Sequence, residues 1–311
     1  MSAQLDLSLL ATVKDPELRA SIERLGNVMA EAPPTPAPAP EPPSTAKVIQ
    51  FPLFPLDTRP VSNDMARSAL FSCVQGKDRQ FIKESLLATV NGVEIRFTGE
   101  QLNQDDHDLL MQLVFIAHKR PIGAWVTVPA YTILQALERQ TGGKQYRELH
   151  ADILRLAAGT VSLRNTKAGV SFIGHHLIAK ALQNEGSHRW VYRLDPDLGA
   201  LYGEMTHTLV DWKKRMALKG KDLARWLQLY IATHAKPYPV KVATLRTLSG
   251  SRAKALKHFR AKLRVALDDL VSNGDIAQWT IEMPGDLLYV DRHAAVSASQ
   301  KRHIVLNSSR T

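Results

Sequence analysis

Leu223, Trp226, Leu227 and Tyr230 recur at the three- and four-residue spacing of an amphipathic helix. Val242, Leu245 and Leu248 repeat that spacing over a shorter span, which stops at Ser249-Gly250-Ser251. Leu256, Phe259, Leu263, Leu267 and Leu270 then give a third helix one buried stripe, with Lys254, Lys257, His258 and Ala261 on the opposite side. Downstream, residues 276–283 and 287–290 read as two strands around Pro284-Gly285-Asp286. A short helix, a tight glycine-containing turn and a second helix with a basic outer face form a helix-turn-helix. A hairpin directly after it makes a winged helix.

A similar order precedes this stretch. Residues 86–90 and 93–98 predict strands around Asn91-Gly92, a two-residue hairpin signal. Leu109, Leu110, Leu113, Val114, Ile116 and Ala117 mark a largely buried helix. Its first turn carries Asp105, Asp106 and Asp108, the charge favoured at a helix N-terminus. Pro129 opens a second helix with Ile133, Leu134 and Leu137, ended by Gly142-Gly143. Residues 144–157 form a third, with Leu149, Ile153, Leu154 and Leu156 inward. Strands follow at 161–164, 170–178 and 190–194. The expected fold class is therefore α+β, with two tandem winged-helix domains over 63–204 and 205–292. Each is a helix-turn-helix with a β-hairpin wing.

A flexible Pro-rich N-terminal arm, 1–62, precedes them. Asp15 caps a short amphipathic helix with Leu18, Ile22, Leu25 and Met29 on one face. Between Pro33 and Pro43 seven of eleven residues are proline, a spacer reaching roughly 34 Å at ~3.1 Å per residue. Gln50-Phe51-Pro52-Leu53-Phe54 is apolar but flanked by proline, which suits an exposed peptide better than a core strand. Residues 293–311 read as a disordered polar tail.

Charge sharpens this picture. The chain of 311 residues carries net +10, yet the stretch from Asp211 to Arg264 holds fifteen Lys and Arg against Asp211 and Asp222 alone. That stretch is net +13 and everything else sums to −3, so the basic character is local. A local basic face on a helix-turn-helix points to double-stranded DNA. A membrane partner is not expected, because no apolar run approaches the ~20 residues of a spanning helix. Cys73 is the only cysteine, which excludes an internal disulfide and a Cys-based zinc site. With no signal-like N-terminus, a cytoplasmic location is expected.

Ser251, Arg252, Lys254, Lys257 and His258 fall in the first two turns of the third helix, where base-reading side chains sit. Arg260, Lys262 and Arg264 flank them as phosphate contacts. In the first domain Lys144, Arg147, Arg155 and Arg164 are interrupted by Glu148 and Asp152, which suits an interaction surface. The charge split predicts that the first domain self-associates and that a fragment of 205–292 binds DNA alone. No catalytic, metal or cofactor site is expected. Gly142-Gly143-Lys144 lacks the upstream glycine and following Ser or Thr of a phosphate loop, and His175-His176 would point to opposite faces of a strand.

Ser62-Asn63-Asp64-Met65-Ala66-Arg67-Ser68-Ala69-Leu70-Phe71, Lys119-Arg120-Pro121-Ile122-Gly123 and Pro237-Tyr238-Pro239-Val240-Lys241 resemble the TrfA family of plasmid replication initiators, over residues 50–291. The resemblance implies binding to directly repeated origin sequences, or iterons, and help in melting adjacent A·T-rich DNA, which exposes single strands. It also implies a homodimer in equilibrium with a monomer, and recruitment of the host initiator, replicative helicase and sliding clamp. Gln50, Leu53 and Phe54 resemble the five-residue bacterial clamp-binding peptide, and Gln4, Leu7 and Leu9 the six-residue form. The alternative is a winged-helix transcriptional repressor without a replication role. A nicking enzyme is disfavoured because no His-x-His occurs.

Overall fold

The computed structural model describes residues 50–292 apart from 91, 185–187 and 204–205. The expected helix at 15–29, the proline spacer, Gln4, Leu7, Leu9 and the 293–311 tail lie outside the described residues.

Residues 50–62, expected as part of the flexible arm, are built into the fold. Phe51 and Phe54 are buried. Phe51 meets the Tyr202 ring edge-on at 5.4 Å, and Phe54 lies 5.3 and 5.7 Å from the rings of His118 and His207. The expectation of an exposed peptide is thereby corrected. Gln50 and Leu53 face solvent, but Phe54 is part of the core, since two buried phenylalanines contribute roughly 3–6 kcal/mol that an extended peptide would forgo. Strand β1 (Thr58–Ser62) pairs antiparallel with residues 207–211. The Arg59 guanidinium stacks 3.7 Å from the Phe115 ring and donates to Gln112 Oε1 at 2.6 Å.

Helix α1 (Asn63–Ala66) and strand β2 (Phe71–Ser72) lead into β3 (Phe81–Leu87), β4 (Val93–Glu100) and β5 (Leu102–Asn103). Gly92 adopts φ +90°, and the Val93 amide donates to the Val90 carbonyl at 3.2 Å, as the hairpin signal requires. Strand pairing resumes only at Leu87 opposite Ile95, because the Ala88 carbonyl is taken by the Ala69 amide. Helix α2 (Gln104–Ala117) starts in a capping box. The Asn103 side chain accepts from the Asp105 and Asp106 amides, and Asp106 accepts from the Asn103 amide. Strand β6 (Val126–Pro129) and α3 (Ala130–Ala136) follow. Gly142-Gly143 does not end α3. It opens α4 (Gly143–Ala158), whose buried stripe is Leu149, Ile153 and Leu156, while Leu154 is exposed.

Strands β7 (Thr160–Asn165), β8 (Val170–His176), β9 (Ile178–Asn184) and β10 (Arg189–Leu194) complete this half. The single strand expected over 170–178 divides at Leu177. Leu177 and Ile178 are both buried, and successive residues of one strand cannot both face one core, so the chain changes sheets there. One antiparallel sheet runs β3-β4-β7-β8 and a second β6-β10-β9. His175 and His176 have separate partners, Asp195 Oδ2 at 3.0 Å and the Gly159 carbonyl at 3.1 Å.

The second half contains β11 (His207–Asp211), α5 (Trp212–Ala217), α6 (Asp222–Ala232), β12 (Val240–Lys241), α7 (Val242–Leu248), α8 (Leu256–Ser272), β13 (Ile276–Glu282) and β14 (Leu287–Arg292). Its three-stranded sheet runs β12-β14-β13. Helix α2, β6, α3, α4 and, after the inserted β7 and β8, the β9-β10 hairpin follow the order of α6, β12, α7, α8 and the β13-β14 hairpin. In both sheets the last strand lies between the other two. Among the described residues no helix is long and apolar enough to cross a membrane.

One apolar core gathers the first half together with Val210, Trp212, Met216 and Leu229, a second gathers residues between 218 and 288, and buried polar groups also join the halves. The Arg215 guanidinium donates to Asp108 at 2.6 Å, to Gln104 at 2.8 Å and to the Arg225 carbonyl at 2.6 Å. Arg225 donates to Asp108 and Asp105, both at 2.8 Å, and to Asp222 at 2.7 Å. Burial pushes the Arg215 guanidinium below its ordinary pKa. Burial also opposes charge on Arg225, but Asp108, Asp105 and Asp222 outweigh it and hold that group above its ordinary value. The acidic first turn of α2 therefore serves tertiary ion pairs as well as the helix dipole. The Trp226 indole donates across the same junction to the Ser68 carbonyl at 3.1 Å.

One buried and one half-buried imidazole give the fold a pH dependence. His107 stacks on Phe71 at 4.0 Å, and burial holds its pKa well below the ordinary 6.5. Burial, with Arg67 nearby, lowers His234 to about 4. The unfolded chain takes up protons here near pH 6.5 and the folded chain does not, so stability is full above that value and falls as pH drops through the window toward 4. Denaturant midpoints at about pH 7.5 and about pH 5 should differ, and His234→Gln should narrow the gap. Equal midpoints in wild type would contradict this.

Candidate nucleic-acid interface

Helix α7 buries Val242, Leu245 and Leu248 against the Phe259, Leu263, Leu267 and Leu270 stripe of α8. The turn between them is a Schellman cap: the Gly250 amide donates to the Thr247 carbonyl and the Ser251 amide to the Arg246 carbonyl, both at 3.1 Å. Gly250 has φ +64°, the left-handed conformation such a cap needs. Helix α8 begins at Leu256, later than the sequence pattern placed it, so Ser251, Arg252 and Lys254 precede the helix. Lys257 and His258 occupy its first turn. No side chain caps that end and no acidic residue lies in its first turn. From residue 251 to 267 the chain has no Asp or Glu at all.

Lys254, Lys257, His258, Lys262 and Arg264 are exposed, and none of them has an ion-pair partner among the described residues. Together they form a positive surface without a compensating acid between residues 251 and 267. Arg252 and Arg260 are different. Arg252 donates to the Asp78 carbonyl and to Gln101 Oε1, both in the first half. Arg260 forms a two-pronged pair with Asp286 of the hairpin turn, at 2.9 and 2.8 Å. Arg260, expected as a phosphate contact, has its guanidinium engaged in tying the β13-β14 hairpin to α8. Lys241, exposed at the start of α7, was not assigned by sequence reasoning, although it lies in the same basic stretch. Arg215 and Arg225, counted there as part of the basic surface, are fully buried.

These features define an α+β protein presenting one basic helix face, without an acidic residue from 251 to 267, beside a hairpin. The chain belongs to the TrfA protein family, whose model matches residues 46–292. The plasmid replication initiator protein TrfA of Escherichia coli is 30% identical over 240 residues, covering 73% of this chain and 62% of that protein. The chain thus spans less than two thirds of that relative's length. Among solved structures, domains 2 and 3 of RctB share the fold, with a TM-score of 0.51 at 12% identity over 76% of this chain and 100% of that one. The Pi initiator protein in complex with iteron DNA aligns over 66% of this chain and 100% of that one, at 13% identity and a TM-score of 0.46.

Proposed function

We propose that this chain is a plasmid replication initiator that binds directly repeated origin sequences through α8. The carrying observation is the exposed, unpaired set Lys254, Lys257, His258, Lys262 and Arg264 on a stretch with no acidic residue. The initiator relative named above supports the same reading. The twice-used order of helix, strand, two helices and hairpin supports two winged-helix units. Binding at the repeats would help melt adjacent A·T-rich DNA and bring in the host initiator and helicase.

The DNA flanking the gene tests the reading. Direct repeats about two helical turns apart, beside an A·T-rich stretch, should be protected by the chain in a footprint. Protection of a palindrome alone would indicate a repressor instead.

Self-association is assigned to the first half. There the open edge strands β3 and β8 expose Phe81, Leu86 and Ile173. Leu86→Glu should shift the chain toward monomer in sedimentation, and an unchanged distribution would remove β3 from the interface. With Phe54 in the core, docking on the host sliding clamp is assigned to Gln4, Leu7 and Leu9. Leu7→Ala with Leu9→Ala should abolish clamp binding and leave DNA binding intact, whereas Leu53→Ala alone should leave clamp binding unchanged.

A further inference from the structure

We propose that Arg252 is a positioning residue for the reading helix rather than a DNA contact. With Gly250 it seats the turn before α8 on the first half of the chain, and so sets the approach of α8 to DNA. This rests on the reading of α8 as the DNA-binding face.

Four contacts make the seat. The Cys73 amide donates to the Ser249 carbonyl at 2.9 Å. Gly250 lies so close to the first half that a Cβ there would sit 2.7 Å from Ser72 Cβ. Arg252 donates to the Asp78 carbonyl and to Gln101 Oε1. The other end of the Gln101 amide donates to Ser72 Oγ at 3.2 Å, and that hydroxyl donates to the Leu102 carbonyl at 3.0 Å. Gly250, Ser72, Gln101 and Arg252 thus close a ring of contacts around the turn. Within the second half, the Ala255 carbonyl accepts from the His258 amide at 3.1 Å and Ala253 packs on the core, but the other bonds of residues 252–254 are long, from Ala253 N to Ser251 Oγ and from Arg246 Nη1 to the Lys254 carbonyl, both at 3.4 Å. Helix α8 has no side-chain cap to fix its start. The first half therefore supplies the order that the turn lacks, and a reading helix held in advance loses less entropy on meeting its site.

Gln101 separates positioning from contact, because it carries no charge and belongs to the other half. The test uses the full chain and a duplex that wild type selects from a randomised pool, with an unrelated duplex of equal length as control. Gln101→Ala and Arg252→Ala should each weaken binding to the selected duplex roughly three- to tenfold, the loss of one or two hydrogen bonds. The double variant should be no worse than the weaker-binding single variant. The salt slope and the affinity for the unrelated duplex should not change. Gly250→Ala, which meets both the Ser72 contact and the left-handed backbone, should lose more.

Three results would overturn the proposal. One is a salt slope flattened by about one unit in Arg252→Ala with Gln101→Ala neutral, which would make Arg252 a phosphate contact. The others are additive losses, or equal losses on both duplexes. If wild type selects no duplex at all, the DNA-binding reading itself fails.

Discussion

Asp108→Ala should destabilise the protein by about 3–5 kcal/mol, because it takes from the buried Arg215 its carboxylate partner and from Arg225 one of three. The Arg215 side chain is fully buried and that of Arg225 is 2% exposed, and both depend on the two oxygens of Asp108 at 2.6 and 2.8 Å. Against a typical stability of roughly 5–15 kcal/mol the loss is large, and a denaturant titration would read it directly. The ion pairs need not be net stabilising relative to an apolar replacement. Changing Asp108, Arg215 and Arg225 together to leucine and methionine should therefore recover much of the loss. A stability within about 1 kcal/mol of wild type in Asp108→Ala would show that water reaches this junction. The same contacts bear on the expectation that a 205–292 fragment binds DNA alone. Such a fragment would keep Arg215 and Arg225 but lose Asp108, Asp105 and Gln104, and Trp226 would lose its Ser68 acceptor. It should show no cooperative unfolding transition.

Lys254→Ala, Lys257→Ala and His258→Ala combined should weaken binding to a selected duplex on the order of a hundredfold or more, taking about 1–3 kcal/mol for each base-reading contact. Each phosphate contact among them should also flatten the salt dependence by about one unit. Arg260→Ala is the informative comparison. Its guanidinium is committed to Asp286, so its loss should free the hairpin turn and lower the melting temperature without changing the salt slope. Wild-type binding by the triple variant would move the reading surface away from α8.

The sequence by itself determined the helices and hairpin of the second half. The stripe of Phe259, Leu263, Leu267 and Leu270 is the buried face of α8, and Pro284-Gly285-Asp286 lies between β13 and β14. Burying one face imposes a period of 3.6 or 2 on apolar residues, and that period is legible without knowing what covers them. It also set the family and the stretch that carries the positive face.

Which cations belong to that face was decided only by the tertiary structure. Arg215, Arg225, Arg252 and Arg260 look no different in sequence from Lys257 or Arg264. Apart from Asp222, Gln228 and the Arg225 carbonyl, their acceptors come from elsewhere in the chain: Asp108, Asp105, Gln104, Asp78 and Gln101 in the first half, and Asp286 in the hairpin turn. Phe54 and the division of the strand at Leu177 were hidden for the same reason. A side chain's own spacing reports whether it meets solvent or core. It carries no information about a partner brought close by the folding of another hundred residues, and for a charged group that partner decides whether the charge is offered to DNA or spent inside the protein.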